Sequence, residues 1–270
     1  MTPRFEVAGY REFVTPPDLA ACCEALWIHR TPRSAPRGAH RVLPEFAIGL
    51  GFEVFRDGEG RPVAGSAVLI GPTLHAQPYD LVPGRELASI RIKAEWAGPL
   101  LGIDPRALED EVVDLAGVCP RLADRWHEAL WRTRTAEEAV RVLATAVRER
   151  HDAVTTRPSA TAAAALDRVR RSAGRVTCDR LAAALGVSDR HFRRHVIDAT
   201  GVAPKAYARV LRFVTAMLDA DRADRPAWAD VAARAGYCDQ SHLIRECAAL
   251  AGASPAALHA ERRRETVALA

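Results

Sequence analysis

Apolar and polar residues alternate with a period of two in residues 47–55. There Ile48, Leu50, Phe52 and Val54 are interleaved with Gly49, Gly51, Glu53 and Phe55. Residues 86–93 repeat the pattern, with Ala88, Ile90 and Ile92 set between Ser89, Arg91 and Lys93. A period of two places alternate side chains on opposite faces, so both stretches predict strands with one buried face. Residues 63–70 have strand character as well, and Asp57-Gly58-Glu59-Gly60 supplies the turn before them. Gly71-Pro72 and Pro83-Gly84 close later segments. A short helix is predicted ahead of these strands, at residues 17–26. Several short strands divided by turns point to a barrel or a sandwich.

The period changes after Asp104-Pro105, which starts a helix with proline in its first position. In residues 121–131, Leu122, Trp126 and Leu130 recur at helical spacing; in 135–150, Ala139, Val142, Leu143 and Val147 do so. Together they predict an antiparallel helical hairpin. Residues 152–161 are rich in Thr, Pro and Ser and read as a linker. Beyond them the chain reads as helical, apart from short turns, to about residue 264.

That last part contains a duplication. Leu181-Ala182-Ala183-Ala184-Leu185-Gly186 matches Val231-Ala232-Ala233-Arg234-Ala235-Gly236 at an offset of fifty. After the glycine the offset becomes fifty-one, and it pairs His191-Phe192 with His242-Leu243, Arg194 with Arg245, Val196 with Cys247, Gly201 with Gly252 and Pro204 with Pro255. Each copy predicts a helix, a glycine turn and a second helix, the helix-turn-helix pattern. In the first copy Leu181 and Leu185 bury one helix face. Gly186 ends that helix, Ser188 caps the next, and Phe192 and Val196 point inward. Arg190, Arg193 and Arg194 are then left outward, where arginine pairs with guanine and grips phosphate. The outward set of the second copy is Gln240, Ser241, Ile244 and Arg245; Gln suits adenine, and Ile suits a thymine methyl. Between the copies, residues 205–220 predict one helix with Tyr207, Val210, Leu211, Val214 and Leu218 on one side. At 1.5 Å per residue it spans ~24 Å, which suits two reading heads about one DNA turn apart.

Residues 162–263 resemble the DNA-binding domain of the AraC/XylS family of bacterial transcription regulators. The carriers are Leu181-Ala182-x-x-Leu185-Gly186-Val187-Ser188, Phe192-x-Arg194, Gly201-Val202-x-Pro204-x-x-Tyr207, Gly236-Tyr237-x-Asp239-Gln240-Ser241-His242-Leu243-x-Arg245 and Ser254-Pro255. The resemblance implies base and phosphate contacts for Arg190, Arg193 and Arg194 in the first unit. For the second it implies them for Gln240, Ser241, Ile244 and Arg245. Cys247 stands where the family usually has Phe, and Leu258 where it has an aromatic, which predicts looser packing of the second unit. The N-terminal part resembles the sensor portion of one AraC-type subgroup, through Leu26-Trp27, Arg41-Val42-Leu43-Pro44, Gly71-Pro72, Tyr79-x-Leu81-x-Pro83-Gly84 and Leu100-Leu101-Gly102. Here Glu45-Phe46 replaces the Asp-Gly of many relatives. The expected fold class is α+β. A β-rich, barrel-like (cupin-like) domain with helices occupies residues 1–150 and a linker residues 151–161. An all-α domain at 162–264 holds two helix-turn-helix units joined by a linker helix.

Charge sharpens this picture. The chain of 270 residues has a net charge of +4, but residues 161–270 carry +6 and residues 1–160 carry −2. The excess lies where a polyanion is expected. Two lysines against 36 arginines is read as codon bias. No run of apolar residues reaches bilayer length, and the N-terminus lacks a signal-peptide core, so the expected location is cytoplasmic. Six cysteines are too few for a disulfide scaffold. No metal site, cofactor or enzymatic activity is expected. The expected partner is double-stranded promoter DNA, with RNA polymerase, a small-molecule effector and a second copy of the chain as further candidates, and no membrane.

Several residues admit two readings. His191 and His242 either touch phosphate or pack at the helix turn; the packing role is favoured because each precedes an inward apolar residue. His29, His40 and His75 are read as surface or core histidines over metal ligands. Cys22 and Cys23 are read as helix-packing residues over an oxidant sensor. Trp27, Phe46, Tyr79 and Trp96 are read as barrel core over a ligand pocket. The alternatives for the whole chain are a cupin-like metal enzyme tethered to DNA and an architectural DNA-binding protein of low specificity.

Overall fold

The computed structural model describes residues 1, 3–7 and 9–268, with side chains left undescribed at 3–7, 40 and 265–268. Nine strands and eleven α-helices are described among these residues. The N-terminal part is β1 (Pro3–Val7), β2 (Tyr10–Phe13), β3 (Cys23–Arg30), β4 (Gly38–Val42), β5 (Ile48–Arg56), β6 (Pro62–Ile70), β7 (Gln77–Leu81), β8 (Arg85–Ile92) and β9 (Val112–Asp114). The short helices α1 (Ala97–Leu101) and α2 (Leu115–Val118) flank β9 and are followed by α3 (Pro120–Trp131) and α4 (Ala136–Ala153). Single 3-10 turns lie at Ala94–Trp96 and Pro105–Leu108.

Seven strands form one antiparallel sheet in the order β1-β2-β3-β8-β5-β6-β9, and β4 and β7 pair as a separate ribbon. The predicted alternation sets the register: Leu50 faces Ile90 and Phe52 faces Ala88 across β5 and β8. Leu26, Ile28, Ile48, Leu50, Phe52, Val54, Ile90 and Ile92 are all essentially inaccessible. Ala139, Val140, Leu143 and Val147 of α4, with Trp126 and Leu130 of α3, complete that core. The side chain of Thr135 caps α4 by accepting from the Glu138 amide.

The helix expected at residues 17–26 is absent. Residues 17–22 form tight turns, with the Leu19 amide donating to Pro16 O and the Cys22 amide to Leu19 O, both at 3.0 Å. Cys23 then opens β3, which is paired on both sides, with β2 and β8. Ladder bonds along both edges satisfy more backbone groups than a short isolated helix could. Cys22 and Cys23 therefore sit at a turn-to-strand junction, with their sulfurs 3.7 Å apart.

The C-terminal part is all helical: α5 (Ala160–Arg171), α6 (Cys178–Ala184), α7 (Asp189–Thr200), α8 (Pro204–Ala220), α9 (Trp228–Ala235), α10 (Gln240–Ala251) and α11 (Pro255–Ala268). Residues 154–159 connect α4 to α5. The glycines that end the first helix of each copy, Gly186 and Gly236, have φ of 65° and 81°. Glycine takes these left-handed values without the penalty a Cβ brings. Leu181, Phe192, Val196, Val231, Leu243, Cys247 and Leu258 share one core with α8. Cys247 and Leu258 are fully buried despite their small size. The buried stripe of α8 differs from the expected one. Tyr207 and Val210 are buried, but the stripe continues through Phe213 and Met217, while Leu218 is 48% exposed. Apolar residues cover most of this helix's circumference, so spacing alone does not choose the face; its packing partners do.

Candidate nucleic-acid interface

The two second helices of the duplication, α7 and α10, are built by the same device. Each begins at a side-chain cap: Ser188 accepts from the His191 amide at 3.3 Å, and Asp239 from the His242 amide at 2.6 Å. Each is anchored by an inward stripe, Phe192, Val196 and Thr200 in α7 and Leu243, Cys247 and Leu250 in α10. With those faces buried, the opposite faces are in solvent. Arg190, Arg193 and Arg194 are exposed on α7; Gln240, Ser241, Ile244 and Arg245 are exposed on α10. Among the described residues, none of these four arginines is held in an ion pair. By contrast, Arg170, Arg209, Arg234 and Arg262 all are.

Exposed guanidinium groups with no internal counter-charge, carried together on one helix, form a surface suited to a polyanion. A helix-turn-helix domain family matches residues 181–261. This is an AraC-type DNA-binding domain. The chain is accordingly a DNA-binding protein of the transcription-regulator class. No curated protein sequence matches it. Among solved structures, ToxT from Vibrio cholerae O395 bound to (E)-4-(8-methylnaphthalen-1-yl)but-3-enoic acid is 10% identical, with a TM-score of 0.44, covering 90% of this chain and 98% of that one. Unsaturated fatty acid-bound wild-type ToxT from Vibrio cholerae strain SCE256 is 10% identical, with a TM-score of 0.43, covering 84% of this chain and 92% of that one.

The histidines of the AraC-type domain diverge. His242 packs edge-to-face on Tyr237, with ring centroids 5.1 Å apart, as the packing role requires. His191 is exposed instead, beside His195 at 6.5 Å. Arg262 of α11 is held by Asp221 with its Nε at 2.9 Å.

The aromatic residues weighed as one group in the N-terminal part do not converge. Trp27 lies against Tyr10 and beneath Arg91, Tyr79 against His29, and Trp96 against His151. Phe46 leaves the N-terminal core altogether and stacks on Tyr207 of α8, with centroids 4.4 Å apart. His29 is buried and His75 exposed, while the His40 side chain lies outside the described residues. Among the described residues no three His, Cys, Asp or Glu side chains group closely enough to hold a metal ion, and no helix is long and apolar enough to cross a membrane.

Stacking of Phe46 belongs to a larger contact that sequence reading missed. Arg170 of α5 donates from Nη1 to Glu95 Oε1 at 2.9 Å and closes a second bond from Nη2 to the same carboxylate. Its Nε lies 3.0 Å from Glu24 and 3.1 Å from the Tyr207 hydroxyl. The Glu95 side chain is only 3% exposed. Burial pushes the Glu24 carboxyl and the Tyr207 phenol above their ordinary values. The second unit is held differently: the Ala76 amide donates to Leu250 O at 2.7 Å, and Arg41 to Ala251 O at 2.5 Å. Both acceptors lie at the C-terminal end of α10, opposite the end bearing Gln240 and Ser241. One sequence signal did mark this interface: Glu45-Phe46 departs from the family pattern where the chain turns toward the AraC-type domain.

Proposed function

We propose that the chain is a sequence-specific transcription regulator that reads two successive major grooves of promoter DNA. Arg190, Arg193 and Arg194 of α7 supply base and phosphate contacts in one groove. Gln240, Ser241, Ile244 and Arg245 of α10 supply them in the next. The observation that carries this reading is the pairing of two capped, internally anchored helices whose outward polar side chains have no internal partners. Arginine supplies attraction and guanine pairing, whereas Gln and Ile add adenine and thymine preferences. The linking helix, 17 residues long, spans about 25 Å, a length compatible with heads one turn apart.

Residues 1–150 act as the controlling domain in this reading. Its support is the contact of that part with both units, through Arg170 with Glu95 and Glu24 and through the carbonyls of Leu250 and Ala251. A signal or a second copy that altered those contacts would alter how the two heads are presented.

The test is selection of bound sites by the full chain from a random duplex library, followed by gel-shift titration on the enriched sequence. The expected result is a site with two boxes about 10 base pairs apart, bound with an affinity that falls steeply with salt. Equal affinity for random and enriched duplexes would replace this reading with that of an architectural protein.

A further inference from the structure

The linking helix α8 is not the sole connection between the two reading units. Between α5 and α6 the chain enters an uncommon conformation: Ala173 has φ of 49° and Gly174 of 69°. Left-handed backbone at an alanine is sparsely populated and persists where its surroundings enforce it. The turn is closed by the Gly174 amide donating to Val169 O at 3.1 Å and the Arg175 amide to Ser172 O at 3.0 Å. Gly174 presses on α8 so closely that a Cβ there would lie 2.0 Å from Ala208 O. No larger residue fits, and the next side chain, Arg175, is thereby aimed past α8 toward the second unit.

Arg175 spans the gap. Its Nη1 donates to Arg234 O in the last turn of α9 at 3.2 Å, while its Nε donates back to Ser172 O at 3.1 Å. Its stem runs beside Gly236, where a Cβ would come within 3.1 Å of Arg175 Cγ. The guanidinium of Arg234 in turn pairs with Asp219 near the end of α8 at 2.8 Å. The contacts close a ring: loop to α8 at Gly174, α8 to α9 at Asp219, and α9 back to the loop at Arg175. A single helix fixes the distance between two modules, but an off-axis strut also resists their twist about that helix.

We propose that Arg175 is a positioning residue that fixes the rotation between the two units and so sets the spacing between half-sites that the chain accepts. The proposal rests on the two-groove reading above. Its test uses the full chain and the duplex enriched from a random library, with variants carrying one base pair added or removed between the boxes. Wild type is expected to lose about tenfold or more in affinity on either change, because each base pair rotates the second box about the duplex axis. Arg175→Ala loses one strut and is expected to bind the original spacing about three- to tenfold more weakly, the effect of one hydrogen bond. Its penalty for altered spacing falls below that of wild type. Arg175→Lys, which can still reach Arg234 O, is expected to lie between the two. Asp219→Asn, which loosens Arg234 from α8, should relax spacing in the same direction, and thermal unfolding of each variant separates loss of fold from loss of placement. Equal affinity and equal spacing penalty in wild type and Arg175→Ala would overturn the assignment and leave the two-groove reading standing. A wild type that selects a single box, or tolerates any spacing, would overturn both.

Discussion

The two helix-turn-helix units share one scaffold and differ in nearly everything attached to it. The first presents three arginines and the second presents Gln240, Ser241, Ile244 and one arginine. The first packs on α5, which is tied to the N-terminal part through a charge cluster at Arg170, and the second is tied through backbone carbonyls at the end of α10. The difference separates two tasks. Arginine draws a helix to DNA over a distance and tolerates several sequences through phosphate contacts, whereas short polar and branched apolar side chains discriminate only at contact. The arginine-rich helix α7 packs on α5, whose Arg170 joins the two parts of the chain through contacts whose loss leaves charge stranded in a dry environment.

Breaking that lock gives the largest effect. Arg170→Ala leaves Glu95 buried without its partner, and removal of one member of such a pair costs ~3–5 kcal/mol. Denaturant unfolding of the full chain measures it. Hydrogen exchange should localise the damage, with amides of α7 losing more protection than those of α10. A loss below about 1 kcal/mol, or equal loss in both helices, would show that the two units are held alike.

The outward residues come next. Arg194→Ala and Arg245→Ala should each cost ~1–3 kcal/mol in binding to the selected duplex. The contrast lies in salt and sequence. Since the first unit is the richer in arginine, its substitution should leave more of the sequence preference intact than Gln240→Ala does, while lowering the slope of affinity against salt. Gel-shift titrations across a salt series, on matched and single-mismatch duplexes, decide it. Identical slopes for Arg194→Ala and wild type would remove Arg194 from the phosphate-contacting set.

Much of this was legible in the sequence, for a definite reason. The duplication exposes its own logic: a glycine, a cap and an inward residue recur together, and the same three constraints act on any helix-turn-helix. Strands β5 and β8 were legible because one face of each follows a strict period of two. The start of β3 was not, since its apolar residues are buried on both faces and show no period. The stripe of α8 was misjudged because packing partners select among its many apolar positions. Arg170, Glu95 and Phe46 lie far apart along the chain, and only the folded contact brings them together. Phe46 stood out as a departure from a pattern, but its partner Tyr207 did not.

The caps test whether the two units are equally preorganised. Ser188→Ala and Asp239→Ala each remove one side-chain acceptor from a helix N-terminus, at a cost of ~0.5–2 kcal/mol. Asp239 makes the shorter bond, 2.6 Å against 3.3 Å, and carries charge toward the positive end of the helix dipole. The second unit should therefore lose more. Thermal unfolding of both variants checks the order, and a larger loss from Ser188→Ala would reverse it.

The smallest effect concerns Glu24, a carboxylate of the charge cluster whose ionisation burial opposes. Glu24 shares Arg170 with Glu95, yet burial holds its carboxyl above its ordinary value of 4.5. Folding therefore raises the affinity of this carboxyl for its proton above that in the unfolded chain. Its stabilising contribution is complete below the ordinary value and is lost as pH rises through the raised one. Glu24→Gln keeps the neutral form at every pH, and Glu95 still pairs with Arg170. At neutral pH the substitution should change stability by less than about 1 kcal/mol, the scale of a partly exposed pair. The difference between variant and wild type should move in the variant's favour as pH is raised from 4.5 toward neutrality. Denaturant unfolding of both proteins over that range reads the trend directly. A difference that moved the other way would mean that Arg170 stabilises the Glu24 charge more than burial opposes it, and that the first unit is locked by two carboxylates of equal standing.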